Sequence, residues 1–142
     1  MKVCYYMHLK EIKEWFDIAD DDLEAAKYLS TSHKPNFYII YYHCSQSIEK
    51  YLKGYLTYNN VKFKYEHDLV YLNNECSKVD CEFKKFETNC DIITAGAKRL
   101  RYPNRVEIKE EDIKYAMESA EYIRNFEPIA KIKKIIEKQF ID

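Results

Sequence analysis

The chain has 142 residues, the size of one domain and enough to bury a core. Apolar residues make up 46% of it against 2 glycines and 3 prolines, and so few turn-formers argue for long helices over many short strands. Charge is dense but balanced, with 23 basic against 24 acidic residues, unlike the basic excess of a free-standing nucleic-acid binder, so only a local basic patch is left open.

Fourteen tyrosines and seven phenylalanines predict an aromatic core whose phenol hydroxyls need hydrogen-bond partners. The 5 cysteines (Cys4, Cys44, Cys76, Cys81, Cys90) are odd in number and form no close CxxC pair, which argues against disulfides. They are expected to be small buried hydrophobes in a reducing compartment. The histidines do not join them at zinc-ligand spacing, so no metal or other cofactor is expected. No apolar run is long enough to span a membrane and no secretory signal pattern opens the sequence, so the expected location is the cytosol.

Helical periodicity runs through the chain. A first helix is predicted from about Leu9 to Leu29, with Trp15, Ile18, Ala19, Leu23, Ala26 and Leu29 on its apolar face and Asp20, Asp21, Asp22 and Glu24 mostly opposite, as a solvated side. After a loop over Ser30–Asn36, with Pro35 near a helix start, the second helix is predicted from Asn36 to Tyr58. Its buried stripe is Phe37, Ile40, Tyr41, Cys44, Ile48, Tyr51, Leu52 and Tyr55, and its polar stripe His43, Gln46, Glu49, Lys50 and Lys53. Leu69, Leu72 and Cys76 predict a short third helix with Asp68 at its positive end. Phe83, Phe86, Cys90, Ile93, Ala97 and Leu100 predict a fourth from about Cys81, interrupted by Pro103. Glu110, Glu111 and Asp112 open a fifth, which carries Ile113, Ala116, Ala120, Ile123 and Phe126. Proline inside a helix costs about 3 kcal/mol, so a break is expected at Pro128. A last amphipathic segment then sets Ile129, Ile132, Ile136 and Phe140 against four lysines. The expected architecture is all-α: an antiparallel up-and-down bundle of about five helices with a four-helix core. It forms one domain, with its core over about 9–126 and a C-terminal helical extension over about 129–140.

Three features rise above an ordinary bundle. The polar stripe of the second helix reads either as a solvated face with local Glu–Lys pairs or as a ligand surface. His67-Asp68 reads either as a helix cap with a packed imidazole or as a pair set up for acid–base work. Lys98-Arg99-Leu100-Arg101-Tyr102-Pro103-Asn104-Arg105 holds 4 cations around a Tyr-Pro break. It reads either as a helix end dressed for its dipole or as a phosphate clamp with a stacking ring. Gly-rich phosphate loops, GxSxG elbows and HExxH pairs are absent from the sequence.

The three features occur together and in order, and there the chain resembles the HEPN domain family of prokaryotic helical proteins. The resemblance runs from about Trp15 to Phe126. It rests on Trp15-Phe16 leading into Asp21-Asp22-Leu23-Glu24-Ala25-Ala26-Lys27-Tyr28-Leu29, on the segment from His43 to Leu56, on His67-Asp68-Leu69, and on Arg101-Tyr102-Pro103. It implies a helical bundle that pairs into a two-fold homodimer. It also implies either ribonuclease activity or a nucleotide-binding or nonenzymatic role beside a small nucleotidyltransferase in a toxin–antitoxin pair. The family's ribonucleases carry an arginine followed four to six residues later by histidine. Here no histidine follows His67, so Arg99, Arg101 and Arg105 lack that partner.

The leading expectation is therefore a homodimeric binding module for a nucleotide or RNA end, partnered by a small nucleotidyltransferase. The resemblance implies that Lys50 and Lys53 neutralise phosphate, that Arg101 clamps it with His67 and Arg105 alongside, and that Tyr102 stacks or shapes the edge. One alternative is a metal-independent ribonuclease toxin using Arg101 and a displaced His67 (or His43). Another is an interaction module with no ligand.

Overall fold

The computed structural model describes residues 2–64, 66–101, 103 and 107–140. Among these the chain forms six α-helices joined by short loops and turns: α1 (Lys2–Ser30), α2 (Phe37–Tyr58), α3 (Leu69–Val79), α4 (Glu87–Lys98), α5 (Glu110–Arg124) and α6 (Glu127–Gln139). Single 3-10 segments at Cys81–Phe86 and Arg99–Arg101 flank α4. The predicted fourth helix is thus a composite, tight at both ends and α-helical only in its middle. None of the helices is long and apolar enough to cross a membrane.

The longest seam joins α1 to α2. Leu9, Ile12, Phe16, Ala19, Leu23 and Ala26 alternate three and four residues apart and are all buried, which is how one helix keeps one face on a near-parallel or antiparallel neighbour. The seam uses Phe16 where the apolar pattern pointed to Ile18, which instead lies exposed. From α2 the matching positions are small: Ser47, whose hydroxyl donates to the Ala19 carbonyl at 2.7 Å, and Gly54, which lies against Phe16. Helix α1 also starts seven residues before its predicted start, at Lys2. Val3, Tyr5, Tyr6 and Met7 in that first stretch are exposed, so no buried stripe betrays it in the sequence.

Helix α2 is the centre of the bundle, touching α1, α3, α4, α5 and α6. The Asn36 side chain caps it, accepting from the Tyr38 and Ile39 amides at 3.1 and 3.2 Å. The predicted buried stripe holds, but the opposite stripe is not a solvated face: Glu49 and Lys53 are buried as well. The predicted break before the last segment is also present. Helix α5 ends at Arg124, and Pro128 falls in the first turn of α6, where its missing N–H costs nothing. Ile129, Ile132 and Ile136 belong to the same core cluster as the other helices, each burial worth about 1.5–3 kcal/mol. The segment expected as an extension is thereby a constituent of the core.

Asp20 explains how α6 is held. Its carboxylate accepts from the Tyr51 hydroxyl on α2 and from Lys133 Nζ on α6 at 2.9 and 3.1 Å, with Arg124 Nε of α5 at 3.7 Å. Asp22 pairs with His43 at 2.9 Å, and only Asp21 of the acidic run is fully solvated. The expectation of one solvated acidic side is corrected accordingly: three neighbouring carboxylates splay around the helix and meet different surroundings. Burial followed by the hydrogen bond to Asp20 raises the Tyr51 phenol far above its ordinary range, so it remains a donor. The Tyr41 phenol, which donates toward the Ile92 and Ile93 carbonyls, is pushed up to about 12, mainly by burial. Cys44, Cys76 and Cys90 are buried thiols, as expected for small hydrophobes, whereas Cys4 and Cys81 are exposed because they sit on the first turns of α1 and of a 3-10 segment.

Candidate functional site

The chemistry gathers around one carboxylate. Glu49 is 1% exposed on α2, the helix that touches every other α-helix of the bundle, and His67 of the loop after α2 reaches it. A buried carboxylate is costly unless charge and hydrogen bonds compensate it, and here three donors do so. Glu49 Oε2 accepts from Lys53 Nζ, one turn later on α2, at 3.1 Å and from Lys50 Nζ at 3.0 Å. Glu49 Oε1 accepts from His67 Nδ1–H at 2.9 Å. Burial alone would raise the Glu49 carboxyl, but the His67 hydrogen bond and the Lys50 and Lys53 ammonium groups outweigh it and hold it below its ordinary value.

The two lysines differ in what they can reach. Lys53 is 3% exposed and faces the rings of Trp15 and Phe63 at 5.7 and 6.0 Å, a cation–π setting that repays part of its lost hydration. Lys50 is partly exposed and is also held by Gln46 Oε1 at 2.8 Å. His67 is the open member of the group, its side chain 56% exposed. Its place is set by the next residue: Asp68 caps α3 by accepting from the Val70 and Tyr71 amides at 2.9 and 3.3 Å. With Nδ1–H committed to Glu49, Nε2 is the ring's other hydrogen-bonding atom, and its tautomer is set from behind.

Beside His67 a cleft of about 230 Å³ opens between the start of α3 and the end of α4, lined by Glu66, His67, Asp68, Thr94, Ala97 and Lys98. Thr94 is 7% exposed, and its hydroxyl has no hydrogen-bond partner among the described residues. A larger cavity of about 650 Å³ lies elsewhere, between Tyr55, Asp80, Phe126 and Ile132, and contains none of the candidate ligand-binding residues named from the sequence. Its Lys85 and Lys131 are already paired with Glu82 and Glu127.

Of the sequence-derived candidates, Lys50, Lys53 and His67 are brought together on Glu49. Arg101 ends the 3-10 turn that continues from α4, and its side chain, like Tyr102 and Arg105, lies outside the described residues. His43 is engaged with Asp22 at 2.9 Å. Sequence reasoning named Glu49 only as one of a polar stripe and missed Thr94. The signal for Glu49 was the pairing of Ser47 with Gly54 seven residues apart: two small residues on one side of α2 announce a close neighbour there, so the helix has two packed faces and little room for a solvated one. Among the described residues, no group of three His, Cys, Asp or Glu could hold a metal ion.

The molecule is an all-α bundle that carries a carboxylate-held histidine near a short basic run of sequence. The chain belongs to the HEPN domain family, whose model matches residues 12–132. No curated protein and no solved structure gives a significant match.

Proposed function

We propose that this HEPN domain binds a phosphate-bearing ligand, a nucleotide or an RNA end, at the His67 cleft. One observation carries the reading: a half-exposed imidazole is fixed by a buried carboxylate at the mouth of a cleft that also holds Lys98. In this reading His67 and Lys98 face the phosphate, with Lys50 at the edge of the group. Lys53 acts from behind, as the counter-charge that keeps Glu49 ionised and His67 in place. Arg101, Tyr102 and Arg105 follow Lys98 by three, four and seven residues and extend the same basic run as phosphate and base contacts. Pairing with a second copy and partnership with a small nucleotidyltransferase belong to the proposal on the strength of family membership.

The test is affinity at low salt for adenosine monophosphate and for a short single-stranded RNA, measured by calorimetry and fluorescence anisotropy. Lys98→Ala and Arg101→Ala are expected to weaken both at least tenfold each, and to flatten the salt dependence as phosphate contacts are lost. Affinity unchanged in the double variant would remove the proposal.

The Glu49–His67 pair favours a second reading, cleavage of RNA. There Nε2 of His67 would take the proton from a 2′-hydroxyl as its oxygen attacks the adjacent phosphorus, while the P–O5′ bond breaks and the departing 5′-oxygen takes a proton from water. The products would be a 2′,3′-cyclic phosphate and a 5′-hydroxyl end. Labelled RNA incubated with chelator separates the two readings: cleavage abolished in His67→Ala supports this one, whereas intact RNA that stays bound supports binding alone.

A further inference from the structure

The cleft beside His67 carries an unusual mixture of charges for a phosphate site. Lys98 and the imidazole of His67 share it with two carboxylates, Glu66 and Asp68. One oxygen of Asp68 is spent on the α3 cap. A bare phosphate would meet repulsion from these carboxylates as well as attraction from the cations. A sugar phosphate suits both kinds of group, because its hydroxyls donate to the carboxylates while its phosphate reaches the cations. Acidic side chains serve ribose hydroxyls in this way in nucleotide sites of other folds.

Thr94 supplies the independent observation. Its hydroxyl is buried and unpaired among the described residues, and Thr94 is one of the residues that line this cleft. Buried polar atoms are nearly always satisfied, so one left over beside a cleft marks a place where a ligand group completes the hydrogen bonding. The cleft's volume of about 230 Å³ is below the usual range of roughly 300–1,000 Å³ for a whole drug-sized ligand, and suits one terminal group of a longer molecule.

We infer that Thr94, Glu66 and Asp68 read the hydroxyls of a ribose, making the cleft selective for ribonucleotides and RNA ends over their 2′-deoxy counterparts. The inference rests on the nucleotide-binding reading above and adds the moiety recognised and the residues that recognise it. Thr94 accepts from or donates to the 2′-hydroxyl, and a free carboxylate oxygen at the rim accepts from the neighbouring one. A site built to pair a hydroxyl discriminates against the analogue that lacks it, because its own polar groups are then left unsatisfied.

The experiment compares adenosine 5′-monophosphate with 2′-deoxyadenosine 5′-monophosphate on wild type, Thr94→Val and Thr94→Ser, with thermal midpoints recorded for each. Wild type is expected to prefer the ribonucleotide about tenfold, the size of one hydrogen bond in a dry setting. Thr94→Val is expected to lose that preference by weakening only the ribonucleotide, with no fall in its midpoint, since it removes a polar atom that has no partner. Thr94→Ser is expected to restore the preference. Equal affinity of wild type for the two nucleotides, or a preference that survives in Thr94→Val, overturns this inference and leaves nucleotide binding standing. No binding of either nucleotide to wild type overturns both.

Discussion

Glu49→Ala is expected to destabilise the protein by about 3–5 kcal/mol, the cost of leaving a buried charge without its partner. The buried charge that loses this carboxylate is Lys53, 3% exposed and set against the rings of Trp15 and Phe63. His67 adds little to this cost, because its half-exposed ring can recover hydration. For a domain of this size the loss corresponds to a thermal midpoint lower by roughly 10–20 °C. The double variant Glu49→Leu with Lys53→Met removes both charges and is expected to recover most of the loss, since a buried ion pair and a well-packed apolar pair are often of similar stability. A double variant as unstable as Glu49→Ala would show that packing, and not charge pairing, is what Glu49 contributes.

The same carboxylate carries a pH dependence of known sign. Its folded-state value lies below the ordinary 4.5, so ionised Glu49 favours the folded form. That contribution is complete above about 4.5 and is lost as the pH falls from there through the lower folded value. Urea unfolding across this window is expected to show wild type and Glu49→Gln converging in stability as the solution is acidified. A gap that stays constant on acidification contradicts the assignment.

Gly54→Ala is the second large effect, and here two terms oppose each other. Alanine is the better helix former by about 1 kcal/mol, so an unconstrained position would be stabilised. At position 54, however, a Cβ would stand 2.5 Å from Phe16 Cε1 and 3.2 Å from Trp15 Cβ. Phe16 is 2% exposed and cannot swing away, so α1 and α2 must separate or repack, at about 1–3 kcal/mol. The net expectation is a loss of up to about 2 kcal/mol in chemical denaturation, and relief when Gly54→Ala is combined with Phe16→Leu. A stabilised single variant would mean that the helices are not in close contact at this point. Because Lys53 precedes Gly54, a shift here would also disturb the ion group, linking the packing of the seam to the candidate site.

The bundle was legible because its signals are periodic and repeated. Most of the seam of α1, the start of α2 near Pro35, the Asp68 cap, the acidic start of α5 and the break near Pro128 each follow from residue type and spacing. What the sequence does not carry is which neighbour a polar residue meets. Glu49 and Glu24 look alike on a helix wheel, yet Glu49 is buried with Lys50, Lys53 and His67 around it, while Glu24 is exposed and bonds to Arg124, 100 residues away. The extra turns of α1 were hidden because their apolar residues face outward. Asp20 holds α6 through partners on three other helices, information that resides in tertiary arrangement alone. At the site, His67 was visible as half of a His–Asp pair. Its structural partner is Glu49, with Asp68 serving as the cap.

Ligand binding at the His67 cleft is tested most directly by titrating the ¹⁵N-labelled protein with adenosine 5′-monophosphate and mapping the shifted amides. Shifts are expected to cluster at Glu66–Leu69 and at Thr94–Lys98, with the His67 ring nitrogens moving too. Shifts centred instead on Tyr55, Phe126 and Ile132, or no saturable shift at all, would contradict it.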